Sequence, residues 1–379
     1  MNYKYIRLAG AILLFQLLIT NVLQAQKSKA VIAYYSGGLE RLDSFNARSM
    51  THIIYCFGHL EGNKLKLKGR KDTLLIQKMV AMKKVNPQLK VLLSLGGWGG
   101  CEPCSDVFST EKGRSDFALS VKELNQYFKA DGIDLDWEYP TIPGHPGHRY
   151  APEDKANFTV LIAELRKTLG KRQIITFAAG GTQKYLEQSV DWKGVMPYVD
   201  YVNLMTYDLV GGYSTVTGHH TALYSTPSQK ESTDNCVQYL IKLGLDPAKL
   251  ILGAAFYGRV WEGVPAENNG LYQSGKFKSF IGFKDFPRFV SADSGYVFHW
   301  DETAKAPYAY NAAQKLYATF DDKRSMTLKT QYVIDKNLGG IMFWQLGDDT
   351  ITNGLLQTIN TTLQQANDKN KKSQSGKAR

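Results

Sequence analysis

The feature that most constrains this chain is a recurrence of short apolar, β-branched runs separated by stretches of helical periodicity. Eight such runs occur: Ala30–Tyr35, His52–Phe57, Lys90–Leu95, Gly132–Trp137, Gln173–Ala179, Tyr198–Thr206, Leu250–Tyr257 and Gly340–Gln345. This is the pattern of parallel strands linked by crossover helices. The segments between them behave accordingly. Phe117, Val121, Leu124 and Phe128 follow helical spacing, as do Phe158, Leu161, Leu165 and Leu169, the last set closed by Gly170. Val237 and Leu240 to Gly244 repeat the scheme. Eight βα units favour a closed (β/α)8 TIM barrel over an open doubly wound sheet.

One interval is too long for a single crossover. Between the seventh and eighth runs only Ser325–Leu338 reads as the expected helix. Residues 260–320 are rich in glycine, aromatics and short strand-like pieces, Phe280–Phe283 and Tyr296–Trp300 among them. They predict a small α+β insertion on the barrel rim, with the catalytic barrel built from residues 26–259 and 321–365. The N-terminus places Lys4 and Arg7 before an apolar run from Leu8 to Ile19 and a small-residue stretch ending near Gln26. That order reads as a signal peptide over residues 1–25, and the run is shorter than the roughly 20 residues of a spanning helix. Secretion or delivery to a periplasm is expected, with no stable membrane span. Residues 366–379 form a polar, basic tail expected to be disordered.

Much of the formal net charge of +11 sits at the two ends, in Lys4, Arg7, Lys369, Lys371, Lys372, Lys377 and Arg379. The remaining body is too mildly basic to argue for nucleic acid or another polyanion. Four cysteines are too few for a disulfide framework. In an exported protein, Cys101 and Cys104 are most simply a disulfide bracing a local loop, while Cys56 and Cys236 read as buried thiols. His145 and His148 belong to a Pro- and Gly-containing surface loop, and His219 with His220 reads similarly, so neither pair is taken as a metal site. Gly96-Gly97 and Gly99-Gly100 lack the spacing of a phosphate-binding loop.

The chemistry is concentrated in Asp131-Gly132-Ile133-Asp134-Leu135-Asp136-Trp137-Glu138. Side chains alternate across a strand, so Asp134, Asp136 and Glu138 share one face while Ile133 and Leu135 share the other. Carboxylates facing a barrel interior are too costly to be packing residues. Glu138 falls at the carboxyl end of its strand, where barrel enzymes carry their catalytic groups. Asp134 and Asp136, about 6 to 7 Å apart by backbone rise, should not both ionise easily. Three carboxylates on one strand are poorly spread to enclose a cation. Tyr34, Tyr35, Phe57, Trp98, Tyr207, Tyr257, Trp261 and Trp344 lie at or just beyond strand ends, and suggest an aromatic groove for sugar rings.

Asp131 to Glu138 resembles the D-x-x-D-x-D-x-E signature of family 18 glycoside hydrolases, the chitinase family. Ser94-Leu95-Gly96-Gly97-Trp98 is similar to that family's S-x-G-G motif, and Met205-Thr206-Tyr207-Asp208 to its M-x-Y-D motif. Phe256-Tyr257-Gly258-Arg259 and Met342-Phe343-Trp344 match its last two strand ends. The insertion also looks like the one that deepens the cleft in one chitinase subgroup. The loop Gly99 to Cys104 departs from the family pattern.

The resemblance implies a retaining, substrate-assisted glycosidase that needs no cofactor or metal. Glu138 would protonate the glycosidic oxygen and the substrate's 2-acetamido oxygen would attack the anomeric carbon. Asp136 would orient the acetamido N–H, Asp134 would share a proton with Asp136, and Tyr207 would hydrogen-bond the acetamido oxygen. Trp344 would floor the scissile sugar, Trp98 would stack on the leaving-side sugar, and Tyr34, Phe57, Met205, Asp208 and Arg259 would complete the pocket. The leading expectation is a monomeric enzyme acting on chitin or N-acetylglucosamine oligosaccharides. Two others are an endo-β-N-acetylglucosaminidase of N-glycans and a non-catalytic chitin-binding lectin; presence of Glu138 with Asp136 and Tyr207 argues against the last.

Overall fold

The structure is a computed structural model that describes residues 29–377. The expected signal peptide lies outside the described residues. Eight parallel strands close into a barrel: β1 (Ala30–Tyr35), β2 (His52–Glu61), β4 (Lys90–Gly96), β5 (Gly132–Asp136), β6 (Ile174–Gly180), β7 (Tyr201–Met205), β8 (Leu250–Ala255) and β14 (Gly340–Trp344). The order β1-β14-β8-β7-β6-β5-β4-β2 returns to its start through β1–β2 pairing, so the barrel has no free edge. A short strand β3 (Lys64–Lys66) forms a hairpin with the end of β2, an extension that the apolar run ending at Phe57 does not announce.

Alternation within the strands divides two cores. Val31, Ala33, Tyr35, Ile133, Leu135, Ile175 and Phe177 face outward to the helical layer. Ile32, Tyr34, Ile54, Cys56, Ala178, Met205 and Met342 fill the barrel. The helix Glu111–Phe128 buries Phe117, Val121 and Phe128 against the outer core; its first turn is capped by Thr110 and its end turns at Lys129 in the left-handed region. The helix Asp154–Leu169 buries Phe158, Leu161, Ile162 and Leu165 and stops at Gly170. Each such large side chain contributes about 1.5–3 kcal/mol by leaving water.

The seventh apolar run splits at Phe256, and the chain passes directly from β8 into β9 (Tyr257–Glu262). With β10 (Lys276–Gly282), β11 (Val297–Asp301), β12 (Ala306–Asn311) and β13 (Leu316–Thr319), β9 forms a five-stranded antiparallel sheet of order β10-β9-β13-β12-β11. One face packs Val260, Phe286, Ala309 and Phe320; the other packs Trp261, Tyr308, Tyr310 and Tyr317. The return to the barrel is fixed by a fully buried pair, Lys329 Nζ to Asp321 Oδ2 at 2.7 Å, with Thr221 and the Ala255 amide also bonded to that carboxylate oxygen. Such a pair is tolerable only because its remaining hydrogen-bonding capacity is satisfied.

The last helix, Leu355–Lys377, corrects the expectation of a disordered tail from residue 366. Gln, Asn, Lys and Ala residues of this tail offer no helix breaker before Gly376, so the helix docked through Leu355, Leu356 and Ile359 propagates onward. No helix among the described residues is long and apolar enough to cross a membrane.

Candidate active site

The three carboxylates of the β5 segment rise in sequence from the barrel interior to its mouth. Asp134 is completely buried, Asp136 almost so, and Glu138 is half-buried just past the strand end. Asp134 is held from four strands: Thr176 and Asn203 donate to Oδ1 at 2.6 and 3.1 Å, and Ser94 and Tyr34 donate to Oδ2 at 2.8 and 3.1 Å. Parallel register brings them together, for Ser94 and Thr176 pair directly with Asp134 on either side.

Asp136 has the opposite environment. Its Oδ1 is buried without a hydrogen-bond partner among the described residues. Burial raises the pKa of Asp134 above its ordinary value while its four hydrogen bonds pull it down. Burial, and then the charges of Glu138 and Asp134, push Asp136 far up with nothing opposing. Burial and the neighbouring charges thus favour the protonated form of Asp136, and no hydrogen bond joins it to Asp134 among the described residues. Glu138 is pushed up to about 7 by burial and by the charge of Asp208, against a lowering contribution from Tyr139. A carboxyl group poised there can be protonated near neutrality and deprotonate within one cycle.

Asp208 stands across the mouth in a left-handed backbone conformation, φ 55°. Arg259 donates Nε and Nη2 to its two oxygens at 2.5 and 2.6 Å, and Tyr257 donates its hydroxyl at 2.6 Å. Burial alone would raise the Asp208 carboxyl, but His220, Arg259 and their charges hold it well below the usual range. It is the fixed negative charge of the site. Tyr207 and Met205 line the interior beside Tyr257, with the Tyr207 ring 6.1 Å from that of Tyr257.

Aromatic rings flank this centre on two sides. Trp344 stacks on Phe57 with centroids 5.6 Å apart and planes within 14°, and lies 6.1 Å from Tyr34. On the other side Trp98 is half exposed, 6.1 Å from Tyr213, 6.5 Å from Tyr139 and 5.5 Å from His145. Two members of the expected groove do not belong to it. Tyr35 points outward into the helical layer, its neighbour Tyr34 having taken the inner face, and Trp261 is buried in the second sheet.

The loop bearing Trp98 depends on glycine at two positions. A Cβ on Gly96 would come within 2.1 Å of the Asp136 carbonyl oxygen, and one on Gly97 within 2.4 Å of the Phe57 ring; both have positive φ. Their absence lets β4 pack against β5 and turn sharply. Cys101 and Cys104 are joined in a disulfide a few residues on, and Cys56 and Cys236 are buried thiols, as expected. Cis peptide bonds follow Cys56, Glu138 and Trp344.

The structure thus brings together Tyr34, Phe57, Trp98, Asp134, Asp136, Glu138, Met205, Tyr207, Asp208, Arg259 and Trp344. Sequence reading missed Tyr213, the Asn203 and Thr176 bonds to Asp134, and His220. The two adjacent histidines are not surface residues: His219 is buried with Nε2 3.0 Å from Asp301, and His220 is buried with Nδ1 3.5 Å from Asp208. A hydrophilic loop motif gave no sign that the second sheet would cover it. Tyr213, 72% exposed, could have been found only from its place five residues beyond Asp208 in a loop over the mouth.

Comparison with known proteins is consistent in kind. The model of "Glycosyl hydrolases family 18" matches residues 30–349. Chitinase A1 of Niallia circulans is 35% identical over 298 residues, which is 72% of this chain and 42% of that protein, so the chain spans less than half of that relative's length. Among solved structures, a family 18 N-acetylglucosaminidase from Paenibacillus barengoltzii superposes with TM-score 0.81 at 35% identity, covering 88% of this chain and 99% of that one. The Ostrinia furnacalis Group IV chitinase in complex with allosamidin gives TM-score 0.81 at 27% identity, covering 89% and 99%.

Proposed function

The chain belongs to glycosyl hydrolase family 18, and from that premise we propose that it hydrolyses β-1,4-linked N-acetylglucosamine polymers with retention, using the substrate's own acetamido group. The observation that carries this reading is the buried Oδ1 of Asp136, unpartnered beneath Glu138. A buried polar atom left open costs stability and asks for a partner. The acetamido N–H of a sugar seated over Trp344 supplies one.

Hydrolysis proceeds by two displacements. The Glu138 carboxyl gives its proton to the glycosidic oxygen as the bond from that oxygen to the anomeric carbon breaks. The acetamido carbonyl oxygen closes on the anomeric carbon, forming an oxazolinium ion whose N–H is held by Asp136 and whose oxygen is held by the Tyr207 hydroxyl. Water then attacks the anomeric carbon, Glu138 takes its proton, and the bond from that carbon to the acetamido oxygen breaks as the amide re-forms. Two displacements at one carbon return the original configuration. Asp134, ordered by four donors, holds the β5 strand, and its charge favours a proton on Asp136, which keeps that proton and accepts the acetamido N–H through Oδ1. Trp98, with Tyr213 packed beside it, offers a ring face to the leaving-side sugar.

The N-terminal pattern of Lys4, Arg7 and the Leu8 to Ile19 run supports export to a periplasm or the outside, where such polymers lie. The named activity of the Paenibacillus relative favours a second reading, release of single N-acetylglucosamine units. A product time course on the chitin hexamer separates the two. Prompt dimers and trimers support the polymer-cleaving reading, monomers from the outset support the second, and cleavage of an N-glycopeptide alone would overturn both.

A further inference from the structure

We propose that Phe280 is a specificity-determining residue of the cleft, an apolar platform for the sugar immediately beyond the scissile one on the non-reducing side. The inference rests on the family reading above and extends it to a residue outside every motif.

A register shift in β10 decides which face Phe280 takes. β10 pairs antiparallel with β9, with Phe277 opposite Trp261, Ser279 opposite Val260 and Phe280 opposite Arg259, so Lys278 is an extra residue between the first two pairs. In a regular strand, positions 277 and 280 would point to opposite faces. The bulge reverses that parity and places Phe280 on the same face as Phe277 and Arg259. That is the cleft face, because Arg259 reaches from it to Asp208. Without the shift Phe280 would join Val260 in the apolar core on the other side.

The two phenylalanines are then treated differently. Phe277 is tucked in, 5.3 Å from the Arg259 guanidinium and close to Gly212, the residue before Tyr213. Phe280 is 68% exposed. Two residues further, Gly282 lies against Asp348, and Lys284 donates Nζ to the Gly347 carbonyl, so this end of β10 is fastened to the loop that follows Trp344. β10 therefore runs along the cleft from the Trp98–Tyr213 side toward the Trp344 side. Phe280 projects from it opposite Arg259, beyond Phe277 in the direction of Trp344 and away from the leaving-group aromatics. An exposed ring of that size, re-aimed by a bulge beside ionic groups of the site, matches the apolar face of a pyranose. A platform there makes the cleft at least two sugars long on the non-reducing side.

The test compares Phe280→Ala and Phe280→Tyr with the parent on the 4-nitrophenyl glycosides of chitobiose and chitotriose. Phe280→Ala is expected to lower kcat/KM about tenfold on both, mainly through KM, with Phe280→Tyr within about twofold of the parent, since loss of uniform binding raises KM. An unchanged Phe280→Ala, or a Phe280→Tyr as impaired as Phe280→Ala, would overturn the assignment. A parent that cleaves neither glycoside would overturn the activity reading itself, a result distinct from an active parent whose Phe280→Ala variant is unaffected.

Discussion

The Thr176 hydroxyl donates to Asp134 Oδ1 at 2.6 Å from the strand next to β5, while Ser94 donates to Oδ2 at 2.8 Å from the strand on the other side. Asp134 is thus clamped between its two neighbours, and Tyr34 and Asn203 complete the set from across the barrel. Asp134→Ala would take the acceptor from three buried hydroxyls and from one of the two Asn203 amide hydrogens, the other being donated to Tyr34, and would open a polar cavity. It is expected to cost at least about 3 kcal/mol of stability, read by urea unfolding, because each abandoned buried group retains its desolvation cost. A loss under about 1 kcal/mol would show that the network does not hold the strand.

Glu138→Gln should fold normally, since Glu138 lies at the mouth and bears no structural ion pair among the described residues. Turnover on the chitin hexamer should fall by about 10²- to 10⁴-fold or more, the range for a lost general acid. Tyr207→Phe removes only a hydrogen bond to a charged intermediate and should fall less, by about 10- to 100-fold. A Glu138→Gln enzyme near parental turnover would remove Glu138 from the acid role.

The raised pKa of Glu138 sets two pH dependences of known sign. With Glu138 as the proposed general acid, the protonated form is the active one, and kcat/KM should decline as pH rises through about 7. The same shift bears on stability. The folded-state pKa lies above the ordinary 4.5, so folding is favoured by this group below pH 4.5 and the contribution is lost as pH rises through about 7. Glu138→Gln should therefore match the parent's melting temperature less closely at pH 8.5 than at pH 5, with the variant gaining relative to the parent. A constant difference across that interval would contradict the buried-carboxyl environment.

The barrel strands and the acidic face of β5 were legible because both depend on local alternation: once Gly132–Asp136 is a strand, Asp134 and Asp136 must share a face. Tyr34 and Tyr35 show the limit of that reading, for adjacent residues at a strand end were both assigned to the groove when only one can face it. The donors to Asp134 depend on register between strands, and no single strand encodes it. The same holds for Phe280, whose face is decided by one extra residue at Lys278. His219 and His220 read as surface residues because their burial comes from a sheet assembled from residues up to a hundred positions away.

Trp98 and Tyr213 have ring centroids 6.1 Å apart, and the proposed function puts the leaving-side sugar against them. Trp98→Ala should lower kcat/KM on the hexamer by about 3- to 10-fold, the worth of one aromatic contact. On 4-nitrophenyl chitobioside, which carries no leaving-side sugar, the loss should be smaller. Equal losses on both substrates would move Trp98 out of that subsite.

The most direct test of the whole account is the anomeric form of the first products released from the chitin hexamer, followed by proton NMR before mutarotation equilibrates them. Acetamido-assisted double displacement through Glu138 and Asp136 predicts that the new reducing ends appear as the β-anomer. Initial α-anomer would mean direct attack by water with inversion, and would contradict the roles assigned to both residues.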